Sequence, residues 1–357
     1  MTDTIDTRRM LTDVATRLFA DHVTPKMLDV AKHEGWSLAL WDELAKAELP
    51  WVGVPEAAGG AGGTLSDVAA VLRVAARHAA PVPLAETYLA GWLLASANLD
   101  VPRAPLTMAA ADAEISAVKN GAAWRISGVF KRVPFARAAK QLVLLAEGQV
   151  FAVDMATCGI TPGRNLASEA RDDVMLDGVT ALATGPTLVT CEALHARGAL
   201  LRAVQIGGAL EHALDLACEH AKIRTQFGRR LAQFQAIQQE IARAGGEVAA
   251  AVAAALSATG VVERLADHQD VQSAQQLLMA VASAKIRAPD AAREAAAIAH
   301  QVHGAIGVTD EYALHHVTLR ALAWREEFGN EVYWSMALGR AMLAGGADDY
   351  WPALSAA

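Results

Sequence analysis

The stretch from Gly207 to Ala242 constrains the fold of this chain more than any other. It reads GGALEHALDLACEHAKIRTQFGRRLAQFQAIQQEIA, and its apolar residues recur at steps of three and four. This spacing predicts two amphipathic helices whose apolar stripes face a helical core. Gly228 is predicted to end the first helix, because glycine commonly follows the last residue of a helix. The periodic apolar positions are Leu210, Leu214, Ala217, Phe234, Ile237 and Ile241.

Arg224 is predicted to lie on the last turn of the first helix or in the loop beyond it, with Gln226 and Phe227. An arginine at the end of a rigid element can bind a carboxylate or phosphate through two N–H groups, and the adjacent phenyl ring offers an apolar surface. The alternative is a basic last turn that stabilises the helix by opposing its dipole. The residues alone leave both interpretations open.

Two ordered motifs carry a resemblance to the acyl-CoA dehydrogenase family. The run Arg224–Gly228, followed by Phe234 and Gln235, resembles the family's R-x-Q-F-G…F-Q motif. The run Gln301–Thr309, read as QVHGAIGVT and followed by Glu311, resembles its Q-x-H-G-G-x-G-x-T-x-E stretch. Two motifs in the expected order are far more specific than either alone.

The resemblance implies FAD as cofactor, bound at its diphosphate by residues of both motifs. It further implies that the first motif contacts the cofactor of a neighbouring subunit, so we expect a dimer or tetramer. The implied cofactor-binding residues are Arg224, Gln226, Phe227, Gly228, Gln235, Gln301, Gly304 and Gly307.

The order of patterns along the chain predicts a mostly α-helical protein with a small β domain. Short β-prone runs are separated by Gly, Asn or Pro, and helix-forming patterns lie on both sides of them. We predict an N-terminal helical domain over 1–105, a middle β domain over 106–187 and a C-terminal helical bundle over 188–357. The resemblance implies a β-barrel-like middle domain and a four-helix bundle at the C-terminus. The β-prone runs are 124–130, 141–145 and 150–153, and the C-terminal helices are predicted near 192–226, 233–258, 268–303, 309–323 and 328–344.

The glycine-rich loop from Pro50 to Gly63 is not a nucleotide-binding loop. No Lys-Ser or Lys-Thr follows its glycines, and no Val-rich strand leads into it, so P-loop and Rossmann assignments fail. It resembles the G-x-P-x-x-x-G-G-x-G loop between N-terminal helices of acyl-CoA dehydrogenases. Thr64 or Ser66 is predicted to cap the next helix.

The middle region departs from the family pattern. Acyl-CoA dehydrogenases usually carry a T-E-x-x-A/G-S-D stretch and a W-x-T-N stretch that line the flavin. This chain has Leu106–Ala111 and Gly128–Phe130 in their place.

The chemistry that the family performs requires a carboxylate to take the α-proton of an acyl-CoA thioester. The resemblance places that base either 26 residues before Arg224, which is Gly198 here, or at Phe328. Because neither is acidic, Glu327 and Glu331 are the predicted substitutes. Alternatively, these glutamates and Glu326 form a solvated helix start near Arg325. The histidines at 212, 220, 315 and 316 are predicted to serve packing or surface roles rather than base catalysis.

Three functions remain open. The first is an FAD-dependent acyl-CoA dehydrogenase that uses an unusual base for α,β-dehydrogenation. The second is a non-catalytic partner subunit of a heteromeric acyl-CoA dehydrogenase, of the short bacterial type, which contributes diphosphate binding but no catalytic glutamate. The third is a flavin oxidase or monooxygenase of the same fold, which would need its own base too. The residues select neither the acyl chain nor the electron acceptor.

The composition indicates which binding partners and which cellular compartment to expect. The net charge is −8 and no Lys/Arg-rich run is present, which argues against nucleic-acid binding. The longest uncharged run, Val248–Val262, is shorter than the ~20 residues of a membrane-spanning helix, so no membrane insertion is expected. The three cysteines are widely spaced and form no metal-binding or redox motif. We therefore expect buried free thiols, a cytoplasmic location and no bound metal.

Overall fold

A computed structural model describes residues 2–109, 115–121, 123–266, 268, 270–309, 311–346 and 351. Helices dominate these residues, and the strands are confined mainly to one region in the middle of the chain. The predicted fold class, mostly α-helical with a small β domain, is therefore confirmed. Residues 110 and 111, part of the predicted flavin-lining departure, lie outside the described residues.

The chain divides into two compact units. The first comprises Met1–Val71 and Ala80–Gly198, and the second comprises Leu72–Ala79 and Ala199–Ala357. Each unit is described separately below. The predicted domain boundaries at residues 105 and 187 stay predictions.

The N-terminal helices begin at side chains that accept hydrogen bonds from the first helical turn. Thr24 accepts from the Met27 amide and Ser37 from the Leu40 amide, each satisfying an N–H group that has no partner inside its helix. Thr64 accepts from the Asp67 amide in the same way, as predicted. The helices are α1 Thr2–His22, α2 Pro25–Glu34, α3 Leu38–Lys46, α4 Leu65–Arg77 and α5 Leu84–Ser96.

The middle region forms two four-stranded sheets. One has the strand order β1-β4-β5-β8 with a single parallel pair, β1 with β4, and the other has the antiparallel order β2-β3-β7-β6. The strands are β1 Leu106–Met108, β2 Ile115–Asn120, β3 Ala123–Pro134, β4 Gln141–Ala146, β5 Gln149–Asp154, β6 Gly159–Thr161, β7 Arg171–Thr180 and β8 Ala183–Pro186.

The two sheets share one hydrophobic core. Phe130 of β3, Leu144 of β4 and Phe151 of β5 all lie in the same buried cluster. In β4 and β5 the four central residues are buried on both faces, which explains their uninterrupted apolar runs. Strand β7 instead alternates buried and exposed residues, because one face of its sheet meets solvent.

The second unit is built from long helices whose ends differ from the predicted ones. α7 continues six residues beyond the predicted end, to Arg264, and Thr259 and Val261 in this extension are buried. Packing rather than helix propensity therefore extends the helix, since Thr, Gly and Val are weak helix formers. α6 ends three residues before its predicted end, for the reason given in the next section. The helices are α6 Cys191–Ile223, α7 Gln235–Arg264, α8 Val271–His303, α9 Leu314–Arg325 and α10 Glu331–Gly345.

Helix α7 is unusual in its apolar composition. By length and composition it could cross a membrane, and it is the one such helix among the residues described here. This is weak evidence, because core helices of soluble proteins pass the same test. α7 packs along α8 through a stripe that includes Ala244, Val248, Ala251 and Ala255. The expectation of no membrane insertion stays a prediction.

The cysteines differ from the sequence-based expectation in one respect. Cys158, Cys191 and Cys218 are free thiols, but all three are half-buried rather than buried. Burial still raises the pKa of each thiol above its usual value, and it is the main cause in every case. Raised pKa values disfavour the reactive thiolate form, so these cysteines are poor nucleophiles.

Gly60→Ala tests the close packing of the glycine-rich loop. A Cβ at Gly60 would overlap the carbonyl oxygen and the Cβ of Val54. We expect a loss of about 1–3 kcal/mol in the free energy of unfolding, because the overlap can be relieved only by moving the backbone. Gly339→Ala in α10 is the control, since its Cβ meets nothing within 4 Å and should be neutral or stabilising. Urea unfolding of both variants measures the difference, and equal midpoints would contradict this account.

Candidate functional site

The chain leaves α6 through a tight hairpin rather than a glycine-capped helix end. α6 stops at Ile223, and Thr225–Gln226 (β9) pairs antiparallel with Arg229–Arg230 (β10). Both residues of the turn between them have positive φ, 52° at Phe227 and 78° at Gly228, as a type I′ hairpin requires. The prediction that Gly228 ends the helix is therefore wrong. The glycine serves the hairpin turn, and the helix ends five residues earlier.

The hairpin, Thr225–Arg230, is exposed over its whole length. Phe227 at its tip is 91% exposed. A large apolar side chain left in water forgoes about 1.5–3 kcal/mol of burial energy, and left-handed backbone at a non-glycine residue costs roughly 1–2 kcal/mol more. Both costs indicate a tip that is shaped for contact with another molecule.

Positive charge surrounds this tip. Residues 223–239 contain no acidic side chain, in a chain whose net charge is −8. The Arg229 guanidinium lies 3.9 Å from the centre of the Phe234 ring, and the Phe227 ring meets Phe234 edge-on at 6.3 Å. Exposed guanidinium groups beside aromatic rings fit an anionic group that carries a ring system, such as a dinucleotide. The exposed arginines are Arg224, Arg229 and Arg230, and the predicted residues Gln226 and Gln235 are exposed as well.

The second motif forms the corner after α8. Gln301 is exposed on the last turn of the helix, and five residues of 3₁₀ helix follow, Gly304–Val308. Gly304 has φ 64° and ψ −145°, a backbone conformation open essentially to glycine alone. At Gly307 a Cβ would lie only 2.9 Å from the Cβ of His303. Glycine is required at position 304 by the backbone angles, and at position 307 by the close packing of neighbouring side chains.

A pair of stacked histidines joins the ends of α6 and α8. The rings of His220 and His303 stack with centroids 4.4 Å apart, and His303 Nε2 lies 3.1 Å from the Tyr312 hydroxyl. Burial lowers the pKa of both histidines, and repulsion from His303 lowers that of His220 further. Arg224 follows His220 by one helical turn, and Gly304 follows His303 directly. The structure therefore places the end of α6, which leads into the first motif, beside the end of α8, which carries the second. The predicted division of the two motifs between subunits stays a prediction.

The remaining histidines also pack within the helical unit. His315 and His316 begin α9 with their rings 4.0 Å apart, and Nδ1 of His315 lies 2.8 Å from the carbonyl oxygen of Tyr312. Burial lowers the pKa of His212. Within the described part of the chain, no group of three or more His, Cys, Asp or Glu side chains is placed to hold a metal ion.

A fully buried lysine holds the end of α9. Lys285 on α8 donates hydrogen bonds from Nζ to the carbonyl oxygens of Trp324 at 3.0 Å and Arg325 at 2.9 Å. The last carbonyls of a helix lack partners within the helix, so the ammonium group satisfies them and opposes the helix dipole. Burial lowers the pKa of Lys285 to about 7, although the negative charge of Glu327 acts in the opposite direction.

Residues Glu326–Asn330, which we call the α9–α10 turn, are held by a buried ion pair. Arg202 on α6 has a side chain only 2% exposed, and its Nε donates to Oε2 of Glu327 at 2.7 Å. Its Nη1 donates to Oε1 of Gln205 at 2.6 Å. The guanidinium also lies about 6 Å from the ring centre of Phe328.

A second ion pair closes the same turn from its other side. Arg325 donates from Nε to Oε2 of Glu331 at 3.0 Å and makes a further hydrogen bond to the same carboxylate. These hydrogen bonds lower the pKa of the Glu331 carboxyl. Phe328 has φ 54°, and its carbonyl oxygen accepts a hydrogen bond from Trp334 Nε1 at 2.9 Å. The turn therefore has a defined shape with several independent supports.

Neither position to which the resemblance assigns the catalytic base carries a carboxylate. Phe328 carries no proton acceptor in its side chain, and Gly198, within α6, has no side chain at all. Glu327 and Glu331 are each bonded to an arginine, which favours their charged forms and weakens them as proton acceptors. The prediction that one of them is the base stays a prediction.

Sequence reasoning missed Arg202 and Lys285. Arg202 is the only charged residue between Gly198 and Leu210, and Lys285 interrupts an apolar stretch of α8. A single charged residue within an apolar helical run could have identified them. Such a residue faces the core, and it is buried only when it is paired or hydrogen-bonded. Glu327, the anionic partner of Arg202, and the Trp324 carbonyl that binds Lys285 lie more than 30 residues away in sequence, so the pattern does not identify them.

Two parts of the chain match the domains of a known protein family. Residues 5–98 match the acyl-CoA dehydrogenase N-terminal domain, and residues 189–343 match the acyl-CoA dehydrogenase C-terminal domain. The chain belongs to the acyl-CoA dehydrogenase family. The hairpin, the corner after α8 and the α9–α10 turn all lie within the second match.

Similar acyl-CoA dehydrogenases occur in mycobacteria. Acyl-CoA dehydrogenase IpdE2 of Mycobacterium tuberculosis is 31% identical over 321 residues, which cover 88% of this chain and 90% of that protein. Acyl-CoA dehydrogenase IpdE2 of Mycolicibacterium smegmatis is 28% identical over 320 residues, with coverage of 88% and 92%.

Several solved structures share the fold. A variant of the Tcur3481–Tcur3483 steroid ACAD superposes with a TM-score of 0.83 at 27% identity, covering 96% of this chain and 99% of that one. The ChsE4–ChsE5 complex from Mycobacterium tuberculosis gives 0.82 at 22% identity, with coverage of 95% and 98%. Butyryl-CoA dehydrogenase from Megasphaera elsdenii gives 0.82 at 19% identity, again with coverage of 95% and 98%.

Lys285→Met tests the buried ammonium group. Because its pKa is lowered from 10.5 to about 7, the folded protein releases this proton more readily than the unfolded chain does. The free energy of unfolding of the wild type should therefore rise between pH 7 and 10, by up to ~1.4 kcal/mol per pH unit from this group. The Met variant should lose that contribution to the slope, measured by urea unfolding at several pH values. Lys26→Met, at an exposed position, should leave the slope unchanged.

Proposed function

We propose that this chain is a flavoprotein subunit of an acyl-CoA dehydrogenase that uses FAD to oxidise an acyl-CoA thioester. In this reaction a carboxylate removes the α-proton of the thioester, and bound FAD accepts the β-hydrogen as hydride. Arg224, the arginines of the exposed hairpin that follows it and the Gly304–Val308 corner are the residues that would hold the diphosphate of FAD. Their support is the combination of exposed guanidinium groups, an aromatic tip and, at Gly304, open space where a side chain would otherwise lie.

Within such an enzyme, we propose that this chain is the partner subunit that lacks a catalytic base. The α9–α10 turn carries this proposal. The position aligned with the base holds Phe328, and the carboxylate next to it, Glu327, is bonded to the buried Arg202. The alternative base position, Gly198, has no side chain. The α-proton would then be removed by a glutamate of another chain.

A catalytic role for this chain is the second candidate. Its support is the place of Glu327 beside Phe328, with 16% of its side chain still exposed. Glu331 begins α10 three residues after Phe328 and is the other candidate. Either would have to exchange its arginine partner for the substrate proton during the reaction.

We propose a dimer or tetramer, built from this chain alone or with an unlike acyl-CoA dehydrogenase subunit. The names of two similar structures, Tcur3481–Tcur3483 and ChsE4–ChsE5, each join two chains. Helix α10 supports the same proposal, because it leaves large apolar side chains exposed, as interaction surfaces commonly do. These side chains are Val332, Tyr333, Met336 and Leu343.

Arg224→Ala tests the diphosphate site. We expect FAD to bind about 10- to 150-fold more weakly, because a charge-assisted hydrogen bond contributes about 1.5–3 kcal/mol. Isothermal titration of the apoprotein with FAD, alone and with a candidate partner chain, measures the change. Arg9→Ala, an exposed arginine on α1, is the control and should bind as the wild type does. If the wild type takes up no FAD in either arrangement, the arginines serve the helix end instead.

Anaerobic bleaching of the flavin by acyl-CoA thioesters separates the two candidate roles. As a partner subunit, the wild type should bleach little on its own, since a positioned general base contributes about 10²–10⁴-fold. Bleaching should appear when a glutamate-bearing partner is added. Rapid bleaching by the wild type alone, abolished in Glu327→Gln or Glu331→Gln, would contradict the partner role and identify the base. Light scattering on the same samples reports the assembly.

A further inference from the structure

The buried ion pair between Arg202 and Glu327 lies next to Phe328, the position to which the family resemblance assigns the catalytic base. We infer that Arg202 is a positioning residue that holds Glu327 ionised and bonded inside the helical unit, and so keeps it from acting as a proton acceptor. The inference rests on the proposed function, because the base position is defined by acyl-CoA dehydrogenation.

The geometry encloses the guanidinium group of Arg202 on several sides. It donates to Glu327 at 2.7 Å and to Gln205 at 2.6 Å. The ring centres of Trp324 and Phe328 lie 6.0 Å and 5.9 Å from its central carbon. With the side chain only 2% exposed, water cannot replace these contacts.

Burial makes the charge on Glu327 necessary. A guanidinium group stays protonated in proteins, and a buried cation is tolerated only when an anion or strong acceptors compensate it. Protonation of Glu327 would leave Arg202 without its anionic partner in a site shielded from water. A carboxylate that must stay charged is a poor general base, since a general base has to take up a proton.

A second cation acts in the same direction. Lys285, fully buried on α8, experiences the charges of Glu327 and Arg202. The carboxylates of Glu326, on the turn, and Glu331, at the start of α10, also favour the protonated form of Lys285. Whenever Lys285 is protonated, two buried cations favour the ionised form of Glu327.

The turn does not depend on this pair alone for its shape. Arg325 and Glu331 clamp the same turn with side chains that are 27% and 18% exposed. Trp334 bonds the carbonyl of Phe328 in addition. Apolar side chains of similar volume commonly replace a buried ion pair without loss of stability. The presence of a buried Arg202–Glu327 pair next to Phe328, in a turn with other supports, therefore points to control of the carboxylate.

Arg202→Met removes the charge and keeps much of the volume. Carboxyl ¹³C resonances of glutamate-labelled protein would be followed from about pH 8 to about pH 5, with Glu327 identified by the loss of its signal in Glu327→Gln. We expect Glu327 to stay ionised over this range in the wild type and to take up a proton within it in Arg202→Met. Identical titration in both proteins would overturn the inference. This measurement needs neither FAD nor acyl-CoA, so it stands even if the proposed function fails.

Exchange of the α-hydrogen of octanoyl-CoA in D₂O tests the release of the base. The Cα–H bond breaks as its proton passes to the carboxylate, and a deuteron from the exchanged carboxyl group returns to the carbon, so no oxidant is needed. We expect Arg202→Met to incorporate deuterium at least tenfold faster than the wild type. Arg202→Met/Glu327→Gln should return to the wild-type rate. No acceleration in Arg202→Met would overturn the masking role, even with an altered Glu327 titration.

Matched variants separate this role from a general loosening of the turn. Arg325→Met breaks the neighbouring pair with Glu331 and should accelerate exchange little, whereas Arg202→Lys retains a cation and should behave as the wild type. Equal acceleration in Arg325→Met would overturn the inference. If Arg202→Met folds poorly, Glu327→Gln reports on the pair from its other side. It should lower the urea midpoint more than Glu331→Gln does, because it leaves a buried arginine uncompensated, and equal shifts would count against the inference.

Discussion

Two cations buried at one end of the helical unit impose the strongest constraint on this protein. Lys285 is bonded to the carbonyls that end α9, and Arg202 is bonded to the carboxylate that follows them. Each charge is tolerated only because a specific partner compensates it, so the end of α9 and the path into α10 are fixed together. The resulting turn contains Phe328, the position to which the family resemblance assigns the catalytic carboxylate.

A second group of cations has the opposite character. The hairpin arginines are exposed and flank a phenyl ring that is itself left in solvent. Exposed charges stay available to an external anion, whereas buried and paired charges do not. The stacked rings of His220 and His303 join this end of α6 to the glycine corner after α8. The cations near the hairpin are therefore exposed to solvent, whereas those at the α9–α10 turn are paired within the chain.

Family membership explains the fold. It does not explain why the hairpin arginines are exposed while Arg202 and Lys285 are buried and bonded within the chain. The chain matches the N- and C-terminal domains of acyl-CoA dehydrogenases and superposes closely on butyryl-CoA dehydrogenase, with a TM-score of 0.82. That likeness extends over helices and sheets whose packing tolerates many sequences. Catalysis depends on one carboxylate in one protonation state, which a local change such as a neighbouring arginine can remove without disturbing the fold.

The sequence by itself determined the fold class, the small β domain and the two motifs, because periodicity and motif spacing are local properties of the chain. It also showed that neither Gly198 nor Phe328, the two positions to which the resemblance assigns the base, is acidic. It misplaced the end of α6, because a glycine after a helical run can end the helix or serve a hairpin turn, and only the pairing of Gln226 with Arg229 decides between them. The partners of Arg202 and Lys285 were likewise decided by tertiary structure alone. The hydrogen bonds from Arg202 to the Glu327 carboxylate and from Lys285 to the Trp324 carbonyl join residues more than 30 positions apart. They depend on side-chain directions and helix packing, which no local pattern specifies.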